Sequence, residues 1–102
     1  MAPPHLLNDV HSRLSATPVA DLLPVDGPDS IRAALDRARR EGRRLSVSGA
    51  RYAMGGQPFG RDSLHLDTES MGRVLGGDAE RGLLTVQAGA RWPAVVEATH
   101  RL

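Results

Sequence analysis

The sequence contains no cysteine, which excludes disulfides, thiolate metal sites and attachment of a cofactor through sulfur. Lysine is absent as well: all thirteen basic residues are Arg, against twelve acidic ones. The formal charge of +1 gives no general attraction to nucleic acid or to a membrane, and the missing Lys is a matter of composition rather than mechanism. Aromatic residues are scarce, with one Phe, one Trp and one Tyr. A core must therefore be assembled from Leu, Val and Ala. Because folded stability is a small difference between large terms, we expect a marginal fold for the chain by itself. No apolar run approaches the roughly 18–20 residues of a membrane span. The start, Met1-Ala2-Pro3-Pro4-His5, has neither the basic nor the apolar region of a signal peptide, so a cytoplasmic location is expected. A length of 102 residues leaves room for one small domain.

What is present falls into an ordered series. Residues 1–20 look like an N-terminal leader, in which Leu6, Leu7, Val10 and Leu14 suit one side of a short helix between Pro3, Pro4 and Pro18. The domain proper is expected over 21–102. Pro28 opens a helix with Asp29 placed to cap it and Ile31, Ala34, Leu35 and Ala38 at helical spacing. Gly42 is placed to close it, and Arg37, Arg39 and Arg40 suit the negative end of its dipole. A strand at Leu45-Ser46-Val47 follows and runs into a Gly-containing loop at 49–60. Leu64 and Leu66 alternate with Ser63 and His65, as in a half-buried strand. Val74-Leu75 and Leu83–Val86 suit a hairpin with a long turn, and Pro93 opens a last helix that the sequence suggests is still running at Leu102. Helix, strand, loop, three short strands and helix make an α+β unit.

The informative stretch is Leu45-Ser46-Val47-Ser48-Gly49-Ala50-Arg51-Tyr52-Ala53-Met54-Gly55-Gly56-Gln57. Its glycines permit backbone conformations closed to other residues, so successive N–H groups can turn toward one point and form an anion nest. No acidic residue lies between Leu45 and Arg61, and Arg51 adds a positive charge suited to phosphate. The pattern has neither the Gly spacing of a dinucleotide fingerprint nor the Lys of a P-loop. By itself, a Gly-containing loop after a strand is commonplace.

The string Asn8-Asp9-Val10-His11-Ser12-Arg13-Leu14, the helix after Pro28 and the segment Ser48–Phe59 together resemble the start of FAD-binding oxidoreductases of the vanillyl-alcohol oxidase/p-cresol methylhydroxylase (PCMH) type. Leu64–Thr68, Met71–Leu75 and Thr85–Pro93 fit the same order, so the resemblance covers the chain from about Asn8 to its end. It implies the first subdomain of a PCMH-type FAD-binding domain, truncated. By position, Gly49, Ala50, Arg51, Tyr52, Ala53 and Gln57 match the loop residues that line FAD. Many members carry His where this chain has Tyr52, and that His is the usual covalent link to flavin. The resemblance therefore implies non-covalent FAD here, with a lower flavin potential than in a histidyl-linked relative. It also implies a second FAD subdomain and a substrate domain, in the same parent chain or a separate polypeptide, which hold the catalytic residues; none is placed on this chain. FAD binding by residues 1–102 alone is expected to be weak or absent, with apolar surface exposed where the second subdomain docks. The alternative is a non-catalytic remnant or binding module that needs a partner chain.

Other features have plainer readings. Arg37–Arg44 holds five Arg in eight positions, but without aromatic interleaving it suits a solvated helix end better than a nucleic-acid patch. His5, His11, His65 and His100 have no metal-ligand spacing, and no serine sits in a nucleophile elbow. His100 and Glu97 suit an exposed i,i+3 pair. Trp92 suits core packing, and Tyr52 fits either core packing or a flavin contact.

Overall fold

The computed structural model describes residues 5–53 and 55–102. The start of the chain, Met1–Pro4, and Met54 of the loop motif lie outside the described residues. Two strands, β1 (His5–Leu7) and β2 (Thr17–Val19), pair antiparallel. The short helix expected around Leu6–Leu14 does not form. A tight turn replaces it because Asp9 accepts hydrogen bonds from the N–H groups of His11 (3.1 Å) and Ser12 (2.6 Å) and from Ser12 Oγ (2.8 Å), and such local bonds compete with helix. β1 and β2 bring Leu7 and Val19 into a core cluster with Phe59, so residues 5–19 pack as part of the folded unit.

The centre is a parallel sheet of order β3-β5-β4, made of β3 (Asp21–Pro24), β4 (Leu45–Ser48) and β5 (Leu64–Asp67). The helix α1 (Pro28–Glu41) connects β3 to β4. Side chains on a strand point alternately to opposite faces, and the two faces of this sheet are both covered. Leu66 meets Val25 and Ala34 beneath α1, with Leu23, Ile31 and Met71 at the margin. On the other face His65 meets Phe59, ring centroids 5.6 Å apart, beside the cluster of Leu7, Val19 and Phe59. Leu64, His65 and Leu66 are consequently all buried. The half-buried strand expected from alternation is instead a fully buried central one, as parallel strands usually are.

Helix α1 starts at Gly27 rather than through a cap on Asp29, which lies in its first turn. Ser30 Oγ accepts the Asp26 N–H at 3.0 Å and so takes up the capping role. Gly42 closes the helix at φ 63°, a left-handed conformation suited to Gly. Only Ala34 and Ala38 of the helix are buried, and Leu35 is exposed. Among the described residues, two of the five Arg at this end form ion pairs: Arg37 with Asp21 (2.8 Å) and Glu41 (2.6 Å), and Arg43 with Glu41 (3.3 Å).

The last third is a hairpin of β6 (Val74–Asp78) and β7 (Leu83–Val86) followed by α2 (Trp92–His100). Gly76, Gly77 and Asp78 belong to β6, not to the turn, which shortens to Ala79–Gly82. The helix ends at His100, and Glu97 pairs with Arg101 at 2.8 Å rather than with His100. The chain is elongated, 53 × 32 × 19 Å, with a radius of gyration of 15.8 Å, where a compact domain of this length has about 13 Å. Among the described residues, no helix is long and apolar enough to cross a membrane.

Candidate functional site

The loop leaving β4 and the segment entering α2 face each other across a cleft of about 460 Å³. One wall is Ser48, Gly49, Ala50, Arg51, Tyr52 and Ala53; the other is Ala88, Gly89, Ala90, Arg91, Trp92 and Pro93. Five of the six residues singled out in the sequence are gathered here. The sixth, Gln57, does not line the cleft; its side chain folds against Gly55.

The first wall is held from both sides. Ser48 O accepts from the N–H (3.0 Å) and Oγ1 (3.1 Å) of Thr68, which fixes the end of β4. Val10 N–H donates to Arg51 O at 2.9 Å, so the Asp9 turn supports the loop from outside. Arg51 adopts φ 63°, a left-handed conformation that costs a non-Gly residue about 1–2 kcal/mol and is one of the two backbone conformations from which anion nests are built. Among the described residues, the N–H groups of Gly49 to Ala53 have no protein acceptor. The Arg51 Nε is buried and has no hydrogen-bond partner among the described residues.

The second wall depends on Gly89. A Cβ there would collide with the Thr68 carbonyl and stand 3.0 Å from Met71 O. Only glycine lets this backbone lie flat on the 68–71 turn, where Gly89 N–H donates to Met71 O at 2.9 Å. The same turn aims Arg91 and the N-terminus of α2 at the cleft. That end of a helix carries partial positive charge. The Arg91 guanidinium lies 5.9 Å from the centre of the Tyr52 ring and donates to Glu69 at 2.8 Å. His11 packs against the same ring, centroids 5.0 Å apart and tilted 41°. Tyr52 is thus a half-exposed plate at the rim rather than core. Trp92 is 77% exposed, contrary to the expectation that it would pack inside; the short α2 presents it outward, with no second layer to cover it.

Loose amides, a helix N-terminus and two Arg side chains with no acidic residue in the lining suit a diphosphate. Thr85–Pro93 is one of the segments that carry the family resemblance, but nothing in its residues announces that Ala88–Pro93 lies opposite the loop. The one available signal was Gly89 beside a strand end. The sequence model of the FAD binding domain family matches residues 22–102, a span that includes both walls. The chain belongs to this FAD binding domain family. No curated protein matches it. The residues present fit the cofactor: among the described residues the cleft offers the amides of Gly49 to Ala53, which have no protein acceptor, beside the Arg51 side chain and the start of α2.

Proposed function

We propose that this FAD binding domain holds the FAD pyrophosphate in the cleft between residues 49–53 and 88–93. The amides of Gly49 to Ala53 and the Arg51 guanidinium donate to the phosphate oxygens, and the α2 N-terminus adds its dipole. The observation that carries this reading is the set of Gly49 to Ala53 amides, which have no protein acceptor among the described residues, beside Arg51 in a cleft whose lining holds no acidic residue. When bound, the flavin supplies the capacity to accept a hydride from a substrate carbon in an oxidoreductase reaction. The chain itself binds and orients. Tyr52 offers a phenol where a histidyl link would need an imidazole, so the cofactor is held without a covalent bond.

Substrate-oxidising residues belong to a second FAD subdomain and a substrate domain, in the same parent chain or another polypeptide. The exposed Leu75, Leu83, Val86, Trp92 and Val96 of β6, β7 and α2 favour this, since large apolar side chains left in solvent mark surface that a partner can cover. The same exposed side chains favour the second reading, a non-catalytic module that needs a partner chain. Titration of the purified chain with FAD, followed by acid precipitation, tests the proposal. Saturable binding with flavin released into the supernatant supports it, and flavin retained in the pellet contradicts the non-covalent assignment. Activity appearing only when a chain carrying the missing subdomains is added separates the oxidoreductase part from an inert module.

A further inference from the structure

A buried polar chain runs through the sheet beneath the cleft. His65 is fully buried on β5. Its Nδ1 lies 2.6 Å from Ser46 Oγ and its Nε2 lies 2.7 Å from Ser48 Oγ. Ser46 Oγ is 2.7 Å from Ser63 Oγ, and Ser63 Oγ lies 2.6 Å from Gly60 O. The direction of every proton follows from the last member. A carbonyl only accepts, so Ser63 spends its single O–H on Gly60 and must accept from Ser46. Ser46 then accepts from His65, which must carry its proton on Nδ1. The free Nε2 accepts from Ser48.

Ser48 and Gly60 are the residues on which the cleft-forming loop begins and ends. We propose that neutral His65, as the Nδ1–H tautomer, is a positioning residue that clamps both ends of the 49–60 loop and so holds its amides in the conformation that binds FAD. The proposal rests on the assignment of this loop to the FAD pyrophosphate. Parallel pairing of β4 with β5 places Ser46 opposite His65 and Ser48 opposite Asp67, so both hydroxyls reach the one ring. Phe59, next to Gly60, covers the ring. A proton on Nε2 would reverse the Ser48 bond, the hydroxyl then accepting, and a second proton is opposed because burial disfavours the charged ring. The charged groups acting on His65 are Asp67 on its own strand, which favours the proton, and Arg51 from the loop, which opposes it.

The test begins with the wild-type chain. Long-range ¹H–¹⁵N spectra of the His65 ring at pH 7.5 show a protonated Nδ1 and a bare Nε2; the opposite tautomer overturns the clamp. Amide exchange of residues 49–60 is then compared in wild type, His65→Leu and Val25→Ala, the last a core control on the other face of the sheet. His65→Leu speeds exchange in the loop about tenfold at conditions of equal global stability, and Val25→Ala does not. Equal effects from both variants overturn the proposal, because a merely structural role predicts them. His65→Asn, which retains an N–H for Ser46, recovers part of the protection; no recovery relative to His65→Leu counts against the directed chain. FAD titration of the same variants shows about tenfold weaker binding for His65→Leu. If FAD at millimolar concentration does not touch residues 49–53 of the wild type, the assignment of this loop to the pyrophosphate fails, while ring tautomer and loop exchange still judge the clamp.

Discussion

Replacing Gly89 by Ala is the most severe single-atom change this structure allows. The added Cβ would overlap the Thr68 carbonyl oxygen and lie 2.7 Å from its carbon and 3.0 Å from Met71 O. These are backbone atoms already committed: Met71 N–H donates to Thr68 O at 2.8 Å, and Gly89 N–H donates to Met71 O at 2.9 Å. Relief requires that the 68–71 turn and the 88–91 segment separate, losing both bonds at about 1 kcal/mol each together with strain typical of overpacking, about 1–3 kcal/mol. We expect Gly89→Ala to lose about 3 kcal/mol, which in a chain of this size lowers Tm by roughly 10–20 °C. Gly76→Ala is the control, since a Cβ there meets nothing within 4 Å; it should stay within about 0.5 kcal/mol of wild type. Urea unfolding followed by far-ultraviolet circular dichroism measures both. A Gly89→Ala midpoint as close to wild type as that of Gly76→Ala would refute the argument that this contact fixes the second wall.

Other perturbations separate binding from folding. Arg51→Gln removes a half-buried cation from the cleft lining and should weaken FAD about 10–100-fold, the value of a charge-assisted hydrogen bond, as read by flavin fluorescence titration, with little change in unfolding midpoint. Gly42→Ala forces Ala into φ 63° and should cost about 1 kcal/mol in urea unfolding without changing FAD affinity. Hydrogen bonds from Ser12 hold the Asp9 carboxyl below its usual 3.8; a depressed carboxylate stabilises above its unfolded value, so that contribution is lost as pH falls below 3.8 and through the folded value. Acid unfolding of Asp9→Asn should lack this component. Burial lowers His65 below its usual 6.5. The unfolded chain then binds the extra proton first, so stability is full above pH 6.5 and declines as pH falls below it toward the folded value. His65→Leu should flatten that limb of a urea-midpoint profile between pH 5 and 8; an unchanged slope would show that His65 is not its source.

The sequence was most readable where local chemistry decides the outcome. Pro28, the Ala34/Ala38 spacing and Gly42 mark α1 because caps and periodicity act within one helix. The loop after β4 stands out in the sequence because a strand end, glycines and the absence of acids coincide in a few residues, but only the family resemblance ties it to FAD. Long-range packing was less visible. Leu64-His65-Leu66 alternates like a half-exposed strand, yet the strand is buried on both faces because β3 and β4 flank it and two clusters cover it. Leu6–Leu14 has apolar spacing suited to a helix, but the Asp9 side chain captures the amides a helix would need. Trp92 was expected inside on hydrophobicity, and only the short α2 shows that nothing covers it. The His65 chain is invisible in sequence because it depends on the β4–β5 register.

Amide shift mapping of the ¹⁵N-labelled chain at millimolar FAD detects even weak binding and shows whether FAD meets the residues of the cleft. The account predicts saturable shifts at Gly49 to Ala53 and Ala88 to Arg91, with ADP reproducing most of them and α1 unaffected. Saturable binding whose shifts fall elsewhere, or no shifts at these amides at saturating FAD, would contradict it.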